Sequence, residues 1–259
     1  MDILEITRHG HGIVRVAMKY EAARNALGEE LRGALLPAFA EILNDSSARV
    51  IIITSALKDF SVGGDLSKMD ALSDLKAGRA RMNSAHRLAR LLFSCDKPMI
   101  AEIRGHAQGA GAGLALFCDT IVMGEGAHIG FPFPRVGLTP DFGLAYTLPQ
   151  RIGMAKARQA FLYARNFKAA DALAIGLADE VVADDKVAER AMELAEELAA
   201  LPSFSASLTK RMLQQANDPL SVLDFEATAQ PLCFASDDFR EGVSAFREKR
   251  KPVFDPQQS

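Results

Sequence analysis

The sequence predicts an α/β fold with a helical C-terminal portion. Strand-like and helix-like runs alternate through the first part of the chain, one of the strand-like runs is apolar without interruption, and after Met154 the pattern turns almost wholly helical. Residues 3–7 and Ile13–Met18 read as short strands around a His9-Gly10-His11-Gly12 turn, whose histidines read as solvated turn residues. Residues 29–43 place Leu31, Leu35, Phe39, Ile42 and Leu43 at helical spacing, and Asn44-Asp45-Ser46-Ser47 ends that helix. Val50-Ile51-Ile52-Ile53 suits a strand buried on both faces. The order then repeats: helix 79–93, a break at Lys97-Pro98, strand Met99–Ile103, an apolar helix at about 110–118 and strand 120–123. Such alternation implies right-handed crossovers onto a parallel sheet. Beyond it, 154–163, 168–175, 186–200, 204–215, Pro219–Phe234 and 236–249 read as helices, with Glu180–Val182 as the only strand. The body and the C-terminal helices join near Leu201-Pro202-Ser203, and no low-complexity segment or clear repeat interrupts them.

The chain has 259 residues, 49% apolar and 24% charged, with a net charge of −3. That length suits one large domain or two small ones, with a core that needs no staple. The charge is too small for a broad basic nucleic-acid surface or for an acidic disordered chain. Cys95, Cys118 and Cys233 are odd in number and form no CxxC pair, which argues against a disulfide framework or a cysteine zinc site. The opening MDILEITRHGHG has no uninterrupted apolar segment, and no later run reaches about 18 apolar residues. A reduced cytoplasmic compartment is the expectation.

Two glycine-rich turns stand out. Phe60-Ser61-Val62-Gly63-Gly64-Asp65-Leu66 follows the strand at 50, and Gly105-His106-Ala107-Gln108-Gly109-Ala110-Gly111-Ala112-Gly113 follows Met99–Ile103. Without a Cβ, backbone N–H groups approach a ligand closely, and a helix start adds unpaired donors and partial positive charge. Two such turns can aim two amides at one oxygen, which is an oxyanion hole made of main chain. Each turn alone is equally explained by tight helix–sheet packing. The second lacks the third glycine of a dinucleotide fingerprint, where Leu114 stands, and no GK[ST] marks a phosphate-binding Walker loop.

Asn25-Ala26-Leu27, FSVGGDL, RGHAQGAGAGLALFCD, GLTPDFGLAYTLPQRIG and FREGVSAFREKRKPVF, in that order, resemble the enoyl-CoA hydratase/isomerase (crotonase) superfamily over essentially the whole chain. The resemblance implies a crotonase-like spiral of stacked ββα units over 1–200 and a helical trimerisation region over 201–259. It implies acyl-CoA thioester substrates, and backbone amides of Gly64 and Ala110 as the hole that stabilises a thioester enolate.

The family's hydratases carry two glutamates, whose positions here are Gly113 and Phe133. Neither residue carries a proton, which argues against a hydratase. Asp141, in Leu138-Thr139-Pro140-Asp141-Phe142-Gly143, stands where isomerase branches place their acidic residue. The chain is most similar to phenylacetate-pathway epoxide-CoA isomerases and Δ3,Δ2-enoyl-CoA isomerases, which implies a double-bond shift with Asp141 as proton shuttle. One carboxylate suffices, since the same proton leaves one carbon and returns to another. Phe131, Phe133 and Phe142 are candidates for an apolar wall that raises its pKa. Read without the resemblance, Asp141 is first of all an N-cap for the helix after it; the resemblance turns that reading toward a base. Hydration, another crotonase reaction, or a catalytically silent CoA-ester-binding protein are the alternatives.

Asp65 reads as a loop-to-helix cap, Glu102 and Glu125 as solvated strand-edge residues and Asp119 as structural. No order of serine, histidine and aspartate suggests nucleophilic catalysis. By resemblance, Arg24 and Ala26 line one side of the CoA, with Val62 and Leu66 near the pantetheine, and Asp65, Gly109 and Phe133 are substrate-binding candidates; His106 either borders the acyl pocket or serves packing and backbone hydrogen bonding in the turn. Phe246 and Lys249 on the last helix approach the CoA of a neighbouring subunit. CoA enters as part of the substrate, with no metal or further cofactor, and the expected assembly is a homotrimer or dimer of trimers. No nucleic acid or membrane is expected as a partner.

Overall fold

The structure, a computed structural model, describes residues 3–66, 74–216 and 218–254. The first strands are β1 (Leu4–His9), β2 (Ile13–Met18), β3 (Val50–Ser55) and β4 (Met99–Ile103). After β5 (His106–Gln108) come β6 (Thr120–Gly124), β7 (His128–Gly130), β8 (Asn166–Lys168) and β9 (Glu180–Val182). Among the described residues, one sheet runs β1-β2-β3-β4-β6-β9 and a smaller one β5-β7-β8. β1 and β2 form an antiparallel hairpin, and every later neighbour pair in the large sheet is parallel. The mixed α/β architecture is the one expected.

The uninterrupted apolar run in β3 has its explanation here. Ile51 and Ile53 face the main core, while Val50 and Ile52 face a second one on the other side of the sheet. Helices α1 (Glu29–Asn44) and α2 (Leu75–Phe93) cover the first face. α1 buries Leu31, Leu35, Phe39 and Ile42, and α2 buries Ala85, Leu88, Ala89 and Leu92. α2 starts earlier than its apolar spacing suggests, because Asp74 caps the Lys76 N–H. α3 (Ala110–Ala115), α4 (Leu144–Ile152), α5 (Met154–Leu162) and α6 (Ala169–Ala174) follow. α3 is shorter than the apolar stretch to Cys118 suggests, and it is buried along its whole length. α7 (Val187–Ala199) covers the other face of the sheet with Val187, Ala191, Ala195 and Ala199, one residue every fourth position. The chain closes with α8 (Ser203–Gln214), α9 (Pro219–Phe234) and α10 (Asp237–Glu248).

Two expectations are corrected. Glu180–Val182 is not the only strand after Met154, since Asn166–Lys168 pairs antiparallel with β7. It and the equally short β5 and β7 are defined by long-range pairing rather than by their own alternation. Glu102 is not a solvated edge residue. It lies 1% exposed in β4, one of its oxygens takes two hydrogen bonds from Arg15 (2.7 and 3.2 Å), and the other has no hydrogen bond but lies 3.9 Å from the Arg104 guanidinium. β4 is central, flanked by β3 and β6, so a carboxylate there is sealed and requires a cation. None of the described helices is long and apolar enough to cross a membrane.

Candidate active site

The two glycine turns leave the C-terminal ends of β3 and β4, which are parallel neighbours in the sheet. Adjacency at that end of an α/β sheet is where ligands are usually met. Here the turns are joined edge to edge. Ser61 bridges Ala107: its N–H donates to the His106 carbonyl (2.9 Å) and its carbonyl accepts from the Gln108 N–H (3.0 Å). The contact leaves no room for side chains. A Cβ on Gly63, whose φ is +97°, would lie 2.6 Å from the Gln108 carbonyl oxygen, and one on Gly111 would lie 2.6 Å from Ser61 Cβ. The N–H groups of Gly64 and Ala110 have no acceptor among the described residues. Two unspent donors therefore stand on facing edges of one junction.

The Asn25-Ala26-Leu27 segment braces the first turn. Leu27 N–H donates to the Gly63 carbonyl (2.7 Å), and Ser61 Oγ donates to the Asn25 carbonyl (2.6 Å). Asn25 is fully buried in a left-handed conformation (φ +55°). Its amide donates to Ser55 Oγ (2.8 Å) and the Phe60 carbonyl (3.2 Å), and its oxygen accepts from Tyr20 N–H (2.8 Å). Asp59 ties the second turn to the same frame, accepting from His106 N–H (3.1 Å) and from Arg24 (2.6 Å). Burial pushes the Asp59 carboxyl up, but the Arg24 guanidinium and the His106 amide outweigh this and hold it below its ordinary value.

Asp141 lies on the loop before α4. It is not that helix's N-cap. Gly143 occupies the cap position with no side-chain cap bond, and Asp141 contributes only its carbonyl, to Leu144 N–H (3.0 Å). The corner is pinned instead by packing. Phe142 takes a left-handed φ of +51°, is 2% exposed, and stacks edge-on to Phe117 at 5.4 Å. A Cβ on Gly113 would meet Phe142 Cδ1 at 3.2 Å, so the Asp141 corner occupies the space beside the first vacant glutamate position. The Asp141 carboxyl is largely buried, and its Oδ1 has no hydrogen-bond partner. Burial pushes it above the ordinary carboxylate range, although the charges of Arg81 and Arg32 pull the other way. Phe133, at the second vacant position, is buried with its ring 3.7 Å from where a Cβ on Gly109 would stand.

The family model for enoyl-CoA hydratase/isomerase matches residues 8–257. This chain belongs to the enoyl-CoA hydratase/isomerase family. The short-chain-enoyl-CoA hydratase of Clostridium acetobutylicum is 32% identical over 239 residues, 91% of each chain. The 1,2-epoxyphenylacetyl-CoA isomerase of Escherichia coli is 32% identical over 250 residues, 94% of this chain and 95% of that one. The crystal structure of an enoyl-CoA hydratase from Mycobacterium smegmatis superposes with a TM-score of 0.91 at 26% identity, over 96% of this chain and 98% of that chain. The protein is thus a crotonase-type enzyme of acyl-CoA chemistry.

Within this family member the other sequence-singled residues fall into two groups. Val62, Gly64, Asp65, Leu66, His106, Gly109 and Ala110 lie on the two turns, with Arg24 and Ala26 on the brace. Asp65 is buried beside Gly28, where a glycine Cβ would stand 3.4 Å from its own. His106 packs its ring against His128, 5.3 Å between centroids. Phe246 and Lys249 are not brought to the turns by this chain. They lie at the end of α10, where Phe246 is 85% exposed beside a cleft of about 410 Å³ shared with Phe204, Phe239 and Phe254. Asp119 is structural, as expected: it accepts from Met99 N–H (2.8 Å) and Lys210 Nζ (2.6 Å). Arg32 and Arg81, whose charges act on Asp141, carried no motif. Arg81 stands four positions before Ala85, in line with the buried stripe of α2, and that was their one visible signal.

Proposed function

We propose that this enzyme is an enoyl-CoA isomerase in which Asp141 moves one proton while the Gly64 and Ala110 amides hold the thioester oxygen. The observation that carries this is the Asp141 carboxyl, buried with an unpaired oxygen, beside glutamate positions filled by Gly113 and Phe133. In a 3-enoyl thioester, Asp141 takes a proton from C2. The electron pair spreads over the dienolate, with negative charge on the thioester oxygen between the two amides. The protonated Asp141 then returns the proton to C4, leaving the double bond conjugated at C2–C3. Burial favours this role, because a carboxyl raised toward working pH is a stronger base than one at its ordinary value. Val62, Asp65, Leu66, His106, Gly109 and Phe133 line the acyl and pantetheine path beside Arg24 and Ala26. Phe246 and Lys249 serve the CoA of a neighbouring subunit in a homotrimer or dimer of trimers, with CoA present only as part of the substrate.

Asp141→Asn is expected to lower kcat on a 3-enoyl-CoA by about 10²–10⁴, read from the absorbance of the conjugated product. Unchanged turnover would remove Asp141 from the mechanism. Hydration is the second reading, favoured by the names of relatives such as the Clostridium acetobutylicum enzyme. Rapid release of 3-hydroxyacyl-CoA from a 2-enoyl-CoA would establish it instead.

A further inference from the structure

The corner that carries Asp141 is gripped from two sides. On one side lies Gly113 of α3, where an added Cβ would stand 3.2 Å from Phe142 Cδ1 and 3.4 Å from Phe142 Cβ. On the other lies Phe93, the half-buried last residue of α2. A Cβ on Gly143 would stand 2.9 Å from both Cε2 and Cζ of Phe93, so this ring fills the place a side chain would take. Phe142 and Gly143 both hold a left-handed φ (+51° and +80°), which for Phe142 persists only where the surroundings impose it. Edge-to-face rings supply those surroundings: Phe93 on Phe117 at 4.7 Å, Phe117 on Phe142 at 5.4 Å and Phe93 on Tyr146 at 5.7 Å. The Gly143 carbonyl accepts from the Tyr146 and Thr147 N–H groups (2.9 and 3.1 Å), which carries the corner directly into α4.

The same rings border a cavity of about 690 Å³, lined by Phe93, Phe117, Gly143 and Tyr146 together with Lys210 and Gln214 of α8. Truncating Phe93 adds its volume to that cavity on the side where Gly143 rests, and the corner gains room to move away from α3. We propose that Phe93 is a positioning residue for Asp141: its ring is the stop that holds the Phe142-Gly143 corner against Gly113 and keeps the Asp141 carboxyl in its buried place. Phe93 acts through the corner and not on the substrate. Its effect on rate rests on reading Asp141 as the proton shuttle, whereas its effect on where the carboxyl lies is independent of the reaction. The charges acting on that carboxyl are Arg81 and His86 of α2 and Arg32 of α1; all favour its ionised form, and burial outweighs them.

The test compares Phe93→Ala, Phe93→Leu, Asp141→Asn and a control on the same helix, Leu88→Ala, with the wild-type full chain on a 3-enoyl-CoA across pH. Phe93→Ala is expected to lower kcat about 10²-fold with KM held within about threefold, because the base is displaced while the acyl-CoA contacts remain. Its acid limb of kcat/KM moves down toward the ordinary carboxylate value as water reaches the carboxyl. Phe93→Leu keeps part of the volume and shows smaller changes in the same direction, which decides the matter even where Phe93→Ala does not fold. Leu88→Ala removes a buried side chain of α2 and lowers the melting temperature, but leaves kcat and the limb at their wild-type values. An unchanged kcat and limb in the Phe93 variants, or equal changes in Leu88→Ala, would overturn the role. Carbon-13 titration of the Asp141 carboxyl, identified by its loss in Asp141→Asn, separates the two claims. If Asp141→Asn turns over like the wild type, the proton shuttle fails; a lowered titration midpoint in Phe93→Ala then still supports the positioning, and an unmoved midpoint overturns it.

Discussion

At the scale of single residues, Asp141 is set apart by what surrounds it. Phe142 locks the corner in a left-handed conformation and packs on Phe117, which fixes where the carboxyl lies. Because burial raises its pKa, the proton-accepting form appears only above the ordinary carboxylate range, and the acid limb of kcat/KM is expected there. A limb at the ordinary value would contradict the burial of the base. Stability follows the opposite course. A carboxyl raised in the folded state leaves stability intact below its unfolded pKa and erodes it as pH climbs through the raised value. Asp141→Asn is therefore expected to raise the melting temperature more at about pH 8 than at about pH 4. Calorimetry at both pH values checks this, and equal shifts would show no such linkage. Gly63 is the other decisive position. Gly63→Ala forces a side chain onto the Gln108 carbonyl at a φ of +97°, and is expected to cost at least about 1–3 kcal/mol in urea unfolding, with loss of activity.

Among the elements, β3 and β4 place the site because they are parallel neighbours whose exit turns come out side by side. The turns are then zipped by the Ser61–Ala107 bridge, a piece of sheet pairing that holds the two amide donors on one frame. α8 is attached differently, by polar anchors more than by apolar packing. Its buried Lys210 donates to the Lys97 carbonyl (2.8 Å) and to Asp119 (2.6 Å), and Gln214 donates to the Cys95 carbonyl (3.0 Å). Arg49 holds the start of the same helix through Ser203 Oγ and the Leu201 carbonyl, both at 2.6 Å. Lys210→Met is expected to cost about 1–3 kcal/mol and to increase amide exchange across α8 before the sheet. Uniform loss of protection over the whole chain would mean that α8 does not open by itself.

Across the whole molecule, the C-terminal helices differ from the body. The body buries its apolar faces in two cores, one on each side of the sheet. α9 buries none of its residues, and Leu220, Leu223, Leu232 and Phe234 lie exposed along it, with Phe239 and Phe246 on α10. An apolar area of this kind on a single chain is suited to covering by another copy. Sedimentation is expected to give the mass of a trimer or a multiple of it. Leu223→Asp combined with Phe234→Asp is expected to shift the mass toward the monomer while the far-ultraviolet circular dichroism stays unchanged. A wild type that sediments as a monomer would remove assembly from the proposed function.

Local pattern carried a great deal. The spacing of Leu31, Leu35, Phe39 and Ile42, the unbroken Val50–Ile53 run and the proline-bounded Met99 strand were legible, because helical and strand periodicities follow from burying one face or two. The glycine turns and Asp141 were legible as chemistry for a similar reason, since backbone approach requires glycine and proton transfer requires a titratable group. Contacts between segments far apart in the chain were not written in any local pattern. The three-residue strands β5, β7 and β8 exist through pairing with distant partners. Glu102 is sealed because β4 has strands on both sides, and Asp141 is a buried, unpaired acceptor and not a helix cap because Phe142 packs against Gly113. Burial and electrostatic proximity are properties of the packed chain, and composition, periodicity and motif spacing do not encode them locally.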